Sequence, residues 1–442
     1  METKKKILPS EVLRKEINQI MEGLLEGEQF EAGSCGQEQS SFSLLMQKAK
    51  RLIVQELLEQ EVEEFLGRGY YQRDKQMSHR RGYRNGYEPK RIKSAEDRLT
   101  IRVPQLRDSK EPFCSKVREF LKSNSDVLER LATEMYVRGL STRDIEDAFT
   151  YATGDRLLSK SSVSKVTDIL WQDYQDFVTR DLSKYEVIYV IIDAVYESIR
   201  PYIKTSEAIL VAYGILSDGR KILLHMELGN KESYDFCRGF LRDMISRGLG
   251  IPLSLTSDGA PGLVKAIEEI FPQSLRIRCW VHKMRNLSVK LPPEIWEKIK
   301  PEIVAIRESA TYQQGEQKLL AVAEQYKEIY PSFVKCLLED YPALLNVLRF
   351  PYRHRKAIRS TNLIERTFVE ERRRTKVIPQ FLTEKSCLKL VFSVLYRAAS
   401  RWRKIPMGPF EIREIDRLRR ERSIPISSEP KEQETQEALI AC

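Results

Sequence analysis

Apolar positions recur at helical spacing over residues 9–25, with Ser10 placed to cap, and again over about 43–66, where Leu45, Leu52, Leu57, Val62 and Leu66 mark one side. Residues 26–41 between these helices are rich in Gly, Ser and Gln and read as a linker. A short strand follows at 99–104. From 126 to 166 the helical period returns. Leu128, Leu131, Ala132 and Met135 lead to the turn Arg138-Gly139-Leu140-Ser141 and a short helix over 142–149. A further helix starts near Ser161, with Ser162, Ser164 and Lys165 on its first turns. Helix, Gly turn, helix and a Ser/Lys-faced helix predict a helix-turn-helix-like DNA-binding unit, although generic helical packing produces the same pattern.

At residue 187 the period changes. Val187-Ile188-Tyr189-Val190-Ile191-Ile192 is a continuous apolar run, as expected for a central strand buried on both faces. Strands over 208–216 and 221–228 flank Ser217-Asp218-Gly219-Arg220, a good hairpin turn. Then come a helix (233–246), a strand (253–256), a helix (262–270) and a strand (275–279). A three-strand meander followed by helix, strand, helix and strand predicts a mixed α/β fold of the ribonuclease H-like kind. Residues 291–348 are helical, punctuated by Pro292-Pro293, Pro301, Pro331 and Pro342, and read as an insertion into this domain.

The expected organisation is an N-terminal helix and linker (1–40), a helical and basic region (41–115) and the helix-turn-helix-like region (116–180). The first part of the catalytic domain (181–290), the helical insertion (291–352), a second part of the catalytic domain (353–410) and a polar tail (411–442) complete it, the stretch from Ser423 reading as disordered. A length of 442 residues agrees with several units.

Charge adds a partner class. Lys and Arg total 74 against 64 Asp and Glu, a net +10, which favours a polyanion because each phosphate neutralised releases counterions. The cations cluster over 68–93, where Arg81, Tyr83 and Arg84 interleave basic and aromatic groups able to meet phosphates and bases; a solvated loop fits the same residues. Seven scattered cysteines without CxxC spacing fit a reducing cytosol. No signal peptide or apolar run of ~18 residues is apparent, so a cytoplasmic protein without a membrane partner is expected.

Three acids carry the candidate chemistry. Asp193 follows the apolar run, Asp258 follows a short strand and precedes Gly259, and Glu365 sits in an Arg-rich segment. Carboxylates at neighbouring strand ends are suited to two Mg²⁺ or Mn²⁺ ions acting on a phosphodiester. Each Asp taken singly also fits a turn or helix cap, and Glu365 alone also fits a surface ion pair. At 100° per residue, Val369, Arg372 and Lys376 fall on the side of Glu365, and nine Lys/Arg against three Glu over 353–376 give that helix a phosphate-facing character. Cys279 and His282 have the CxxH spacing of half a zinc site, but no second half is present; packing for Cys279 and an orienting or phosphate-holding role for His282 fit better.

In this order, Asp193-Ala194-Val195-Tyr196, Ser257-Asp258-Gly259, Cys279-Trp280-Val281-His282 and Asn362-Leu363-Ile364-Glu365-Arg366 resemble the mutator-like family of bacterial insertion-sequence transposases over roughly residues 45–405. The stretches 83–87 and 371–376 resemble it as well. The resemblance implies a DDE transposase with Asp193, Asp258 and Glu365 as both catalytic and metal-binding residues, and Cys279 and His282 as auxiliary ones. It implies terminal inverted repeats and target DNA as partners, at least a dimer in the synaptic complex, and a circular DNA intermediate. The setting would be cytoplasmic, at the nucleoid when DNA is bound. Arg81, Tyr83, Arg84, Lys165, Arg372 and Lys376 are the expected DNA contacts. One departure is Glu197-Ser198, where the family pattern leads to basic or apolar residues. A DNA-binding regulator with a decayed catalytic sheet and a metal nuclease that cuts without joining are the rival readings.

Overall fold

Helix α1 (Pro9–Leu25) packs on α2 (Ser41–Leu66) through Leu13, Ile20, Leu58 and Val62, all buried. The computed structural model describes residues 7–25, 41–72, 82–109, 111–121, 123–199, 206–229, 233–378 and 380–425, and the chain divides into two units, Met1–Thr167 and Asp168–Cys442. The expected linker over 26–40, Arg81, and the tail from 426 lie outside the described residues.

In the first unit, Ser10 is not a cap: the helix already starts at Pro9, and the Ser10 N–H and hydroxyl both donate to the Glu59 carboxylate of α2. Leu57 and Leu131, expected inside, point outward; the buried row of α2 is Gln55, Leu58, Val62 and Leu66, spaced by three and four residues. The basic stretch forms strand β1 (Tyr83–Lys93), paired antiparallel with β2 (Arg98–Arg107), which covers the α2 face with Ile101 and Val103. Arg84 is half-buried and donates to the carbonyls of Arg68 and Gly69, with its guanidinium over the Tyr70 ring, so it ties the hairpin to the end of α2. Tyr83 lies under the Arg68 guanidinium.

After α3 (Lys116–Phe120), helices α4 (Asp126–Val137), α5 (Thr142–Thr153) and α6 (Lys160–Val166) pack together around Leu128, Ala132, Ile145, Phe149 and Val163. Ser125, Ser141 and Ser159 cap them, Ser141 in a reciprocal box with Asp144. Ser161, Ser164 and Lys165 of α6 face outward.

The second unit starts with α7 (Ile169–Thr179), which the sequence pattern did not flag, and contains a five-stranded mixed sheet. Its strands are β3 (Val187–Ser198), β4 (Ser206–Leu216), β5 (Lys221–Gly229), β6 (Ser254–Ser257) and β7 (Leu275–Arg278), in the order β5-β4-β3-β6-β7. The first three are antiparallel, while β3/β6 and β6/β7 are parallel. Asp193 therefore lies within β3 and not beyond its end. Pairing with β4 continues through Ser198↔Ser206, which keeps the backbone extended past the apolar run.

Strand alternation sends Val190, Ile192 and Leu210 to one face, where α8 (Tyr234–Ser246) and α9 (Pro261–Ile270) bury Phe240, Leu241, Leu263 and Ile267 against them. Following β7 are α10 (Trp280–Ser288), also unforeseen, and the helical segment α11 (Pro293–Arg307), α12 (Tyr312–Tyr326), α13 (Pro331–Leu338) and α14 (Tyr341–Leu345). Pro293, Pro331 and Pro342 sit in the first turns of their helices, where a missing N–H costs nothing, and Pro301 lies inside α11. The chain then returns to the sheet as α15 (Tyr352–Ile358), α16 (Asn362–Thr375) and α17 (Glu384–Ser400). On this other face, Tyr189 meets Phe350 and donates its hydroxyl to His354 Nδ1 (2.8 Å), while His354 Nε2 donates to the Pro406 carbonyl (2.7 Å). The expected tail from 411 begins instead inside α18 (Pro409–Glu421), which buries Ile415, Leu418 and Arg419, the last paired with Glu186 at 2.7 Å.

Glu197, the departure from the family pattern, serves packing. It is buried on β3, accepts from Thr375 Oγ1 (3.1 Å) and faces Glu371 of α16, which is fully buried with neither carboxyl oxygen hydrogen-bonded in the fold as described. Burial first, and Glu197 second, hold the Glu371 carboxyl well above the usual carboxylate range; Arg372 and Thr375 oppose this only weakly, and burial also raises the adjacent Cys387 thiol. Folding thus favours the protonated acid. Its contribution to stability is present at low pH and is lost as pH rises from the ordinary carboxyl range through the raised value. Glu371→Gln is expected to melt roughly 2–4 °C above the parent for each ~1 kcal/mol relieved at alkaline pH, and level with it at acidic pH. Parallel melting curves between about pH 5 and about pH 9 would show that the pair contributes nothing.

Candidate active site

The register of β3 against β6 ends with Ile191 opposite Thr256; Asp193 lies two residues further along β3, and Asp258 two residues past Thr256, just beyond the end of β6. Asp193 shares the parity of Tyr189 and so lies on the face covered by α15 and α16, where the Thr256 hydroxyl donates to the Ile358 carbonyl at 2.7 Å; the charge of Asp258 acts on both Asp193 and His282. Asp193 is buried, with Oδ1 accepting the Ala194 N–H at 2.8 Å. Burial first, then the charge of Asp258, push its carboxyl above the usual range, against opposing contributions from the Ala194 N–H, His282 and Thr361. Asp258 is half-buried and accepts the Ala260 N–H at 3.2 Å. Gly259 turns with φ +83°, and a Cβ there would strike the guanidinium of Arg278, which lies across the turn.

The segment after β7 brings the remaining pieces in. Cys279 N–H donates to Ser257 O (2.9 Å), and Trp280 N–H to Arg359 O (2.9 Å). The buried Cys279 Sγ accepts the Thr361 N–H (3.4 Å) and lies 3.6 Å from Thr361 Oγ1. Cys279 therefore packs, as expected, and does so against the residue that starts α16. One turn into α10, His282 Nε2 lies 3.8 Å from Glu365 Oε1. Its Nδ1 is buried and has no hydrogen-bond partner among the described residues. The Cys279 thiol is the largest influence raising the His282 pKa above the imidazole range; burial opposes it, and Asp193 and Asp258 add to it. Burial pushes the Cys279 thiol up, but His282 more than compensates and leaves it below the usual thiol value.

Asp193, His282 and Glu365 thus bring one ligand atom each within 4.8 Å of one another. Asp258 lies outside that cluster of three. The cluster opens into a cavity of about 490 Å³ whose wall also includes Tyr196, Arg285, Asn362, Arg366 and Arg372. The donor set fits a divalent cation: hard carboxylate oxygens, an imidazole beside Glu365, and two aspartates whose mutual repulsion a cation would relieve. Of the cations expected beside Glu365, Arg372 lines the cavity, whereas Lys376 is exposed at the end of α16 and is not in its wall. Sequence reasoning missed Thr361 and Arg285. The latter is one turn beyond His282 on α10 and 3.3 Å from Glu365 Oε1, a position that a helix from 280 would have signalled.

A family profile described as Transposase, Mutator family matches residues 22–405. The chain is 32% identical to the transposase for insertion sequence element ISRM5 of Rhizobium meliloti (strain 1021) over 354 residues, 80% of this chain and 87% of the relative. It is 31% identical to the transposase for insertion sequence element IS406 of Burkholderia multivorans over 359 residues, 80% of this chain and 90% of the relative. The transposase for IS256 in transposon Tn4001 of Staphylococcus aureus is 26% identical over 353 residues, 79% and 89% of the two chains.

Proposed function

This chain belongs to the Mutator family of transposases, and on that premise we propose that it cleaves DNA at the terminal inverted repeats of an insertion sequence and joins the freed 3′ ends by DDE chemistry. The observation that carries the reading is the convergence of Asp193, His282 and Glu365 within 4.8 Å, with Asp258 just past the end of the neighbouring strand β6. A ribonuclease H-like fold is supported by three antiparallel strands followed by two parallel ones, with Asp193 on the central strand.

Asp193, Asp258 and Glu365 would hold Mg²⁺ or Mn²⁺. Bound there, such cations supply activation of an attacking oxygen and stabilisation of the leaving one. His282 orients Glu365, and Cys279 and Thr361 fix the start of α16 beside Asp193. In the first step a water oxygen bonds to phosphorus and the P–O3′ bond breaks; the departing oxygen takes up a proton, leaving a 3′-OH and a 5′-phosphate. In the second step that 3′-OH bonds to another phosphorus and displaces its 3′ oxygen. The α4–α6 trio, with Lys165 outward, is the helix-turn-helix-like candidate for binding the repeats, together with the basic hairpin that carries Tyr83 and Arg84. Two ends brought together need at least a dimer. No helix among the described residues is long and apolar enough to cross a membrane.

Incubating the protein with labelled element ends and Mg²⁺ tests the whole reading: cutting followed by joining is expected, cutting alone indicates a nuclease, and neither indicates a regulator. Arg372 and Lys376 are assigned to phosphates. Arg372→Ala is expected to slow cleavage on every end sequence alike and to flatten the salt dependence of binding by about one phosphate. A merely exposed ion-pairing Arg would contribute roughly 0–1 kcal/mol, so an unchanged rate and salt slope would remove Arg372 from the site.

A further inference from the structure

Beside the acidic cavity lies a second one of about 330 Å³, and Asn362 and Arg366 line both. Its wall carries Lys221, Arg353, Lys356, Arg359 and Arg366, and no acid. Two of these cations are committed within the fold: Arg359 pairs with Glu308 at 2.7 Å, and Lys221 Nζ donates to the Arg403 carbonyl at 2.8 Å. Arg353 reaches Glu411 only at 3.7 Å and is two-thirds exposed, and Lys356 and Arg366 are exposed with no ion pair among the described residues. Like charges gathered in one concave wall repel each other in the free protein. A polyanion laid along them removes that repulsion and releases its own counterions. The shared wall at Asn362 and Arg366 sets the second cavity directly beside the first, within reach of phosphates that neighbour one held at the acid cluster.

We infer that this cavity binds the phosphodiester backbone of DNA next to the scissile bond, a contact separate from recognition of the repeats and resting on the function proposed above. The strand it holds is either the DNA flanking the element or the target DNA. Both present the same phosphates, so the assay separates them.

The full-length protein and the double variant Arg353→Ala/Lys356→Ala would be compared by fluorescence anisotropy in EDTA across a salt series. One duplex carries an element end with its flank, and the other is a random sequence standing for target. The variant is expected to bind roughly tenfold more weakly, with the salt slope reduced by about two. Loss confined to the flanked end assigns the flank, and loss on the random duplex assigns the target. The charge-retaining Arg353→Lys/Lys356→Arg protein should bind as the parent does. Unchanged affinity and slope on both duplexes, or a parent that binds neither, would overturn the inference. A parent that binds both but never cuts would refute the transposase chemistry while leaving this site standing.

Discussion

Asp193→Asn and Glu365→Gln are each expected to abolish strand cleavage while leaving the binding of element ends close to that of the parent. An amide keeps the volume of the acid but removes the charge that would hold a cation. Polarisation by a bound metal is worth several kcal/mol, and about 4 kcal/mol corresponds to roughly a 10³-fold loss of rate. Asp258→Asn is the sharper test, because the charge of Asp258 acts on Asp193 without Asp258 joining the cluster of Asp193, His282 and Glu365. If Asp258 belongs to the site, its loss matches that of the other two. Cleavage and gel-shift affinity measured on the same preparations decide this, and near-parental cleavage by any variant removes that residue from the catalytic set. Chelation of divalent cations in the parent should reproduce the same loss.

Trp280→Ala is expected to produce the largest loss of stability. Trp280 is 1% exposed, its indole N–H donates to the Leu344 carbonyl of α14 at 3.0 Å, and its own N–H donates to Arg359. Emptying such a site costs about 3–5 kcal/mol, a drop in melting temperature on the order of 10 °C for a unit of this size. Cleavage should fall with it even below the melting range, because Trp280 fixes the first turn of α10 and His282 is on that turn. Trp280→Phe refills most of the space and forfeits mainly one hydrogen bond, about 1 kcal/mol. Equal melting of the Ala and Phe variants would mean that the hydrogen bond, not the burial, holds α10.

How far local pattern reaches is visible at particular elements. The unbroken apolar run of β3 announced a strand covered on both faces, and it is one. The same run misplaced Asp193 at a strand end, because the partner that carries β3 on to Ser198 is β4, whose pairing is not encoded in β3 itself. Helix α10 was overlooked because its charged positions mask a short apolar face of Trp280 and Leu287. The tail was read as polar from 411, yet α18 is helical there because Ile415 and Leu418 find a core to pack on. Arg84 was expected to meet DNA and Glu197 stood out only as a departure from the family pattern; their partners, a carbonyl and a hydroxyl, are supplied by other segments of the chain.

Residue order by itself determined the types of most elements and the succession of strands and helices from β3 to β7, and it singled out the three candidate acids with their CxxH companion. Side-chain periodicity, turn chemistry and proline placement act over a few residues, so they can be read without the fold. Only the tertiary structure decided that β6, which leads into Asp258, pairs with the strand of Asp193, that Cys279 grips Thr361 across 82 residues, and that His282 closes on Glu365. Those relations depend on which strands pair and on where a long helical segment returns to the sheet. Such choices are made by burial and hydrogen bonding between distant segments, which leave no period in the sequence.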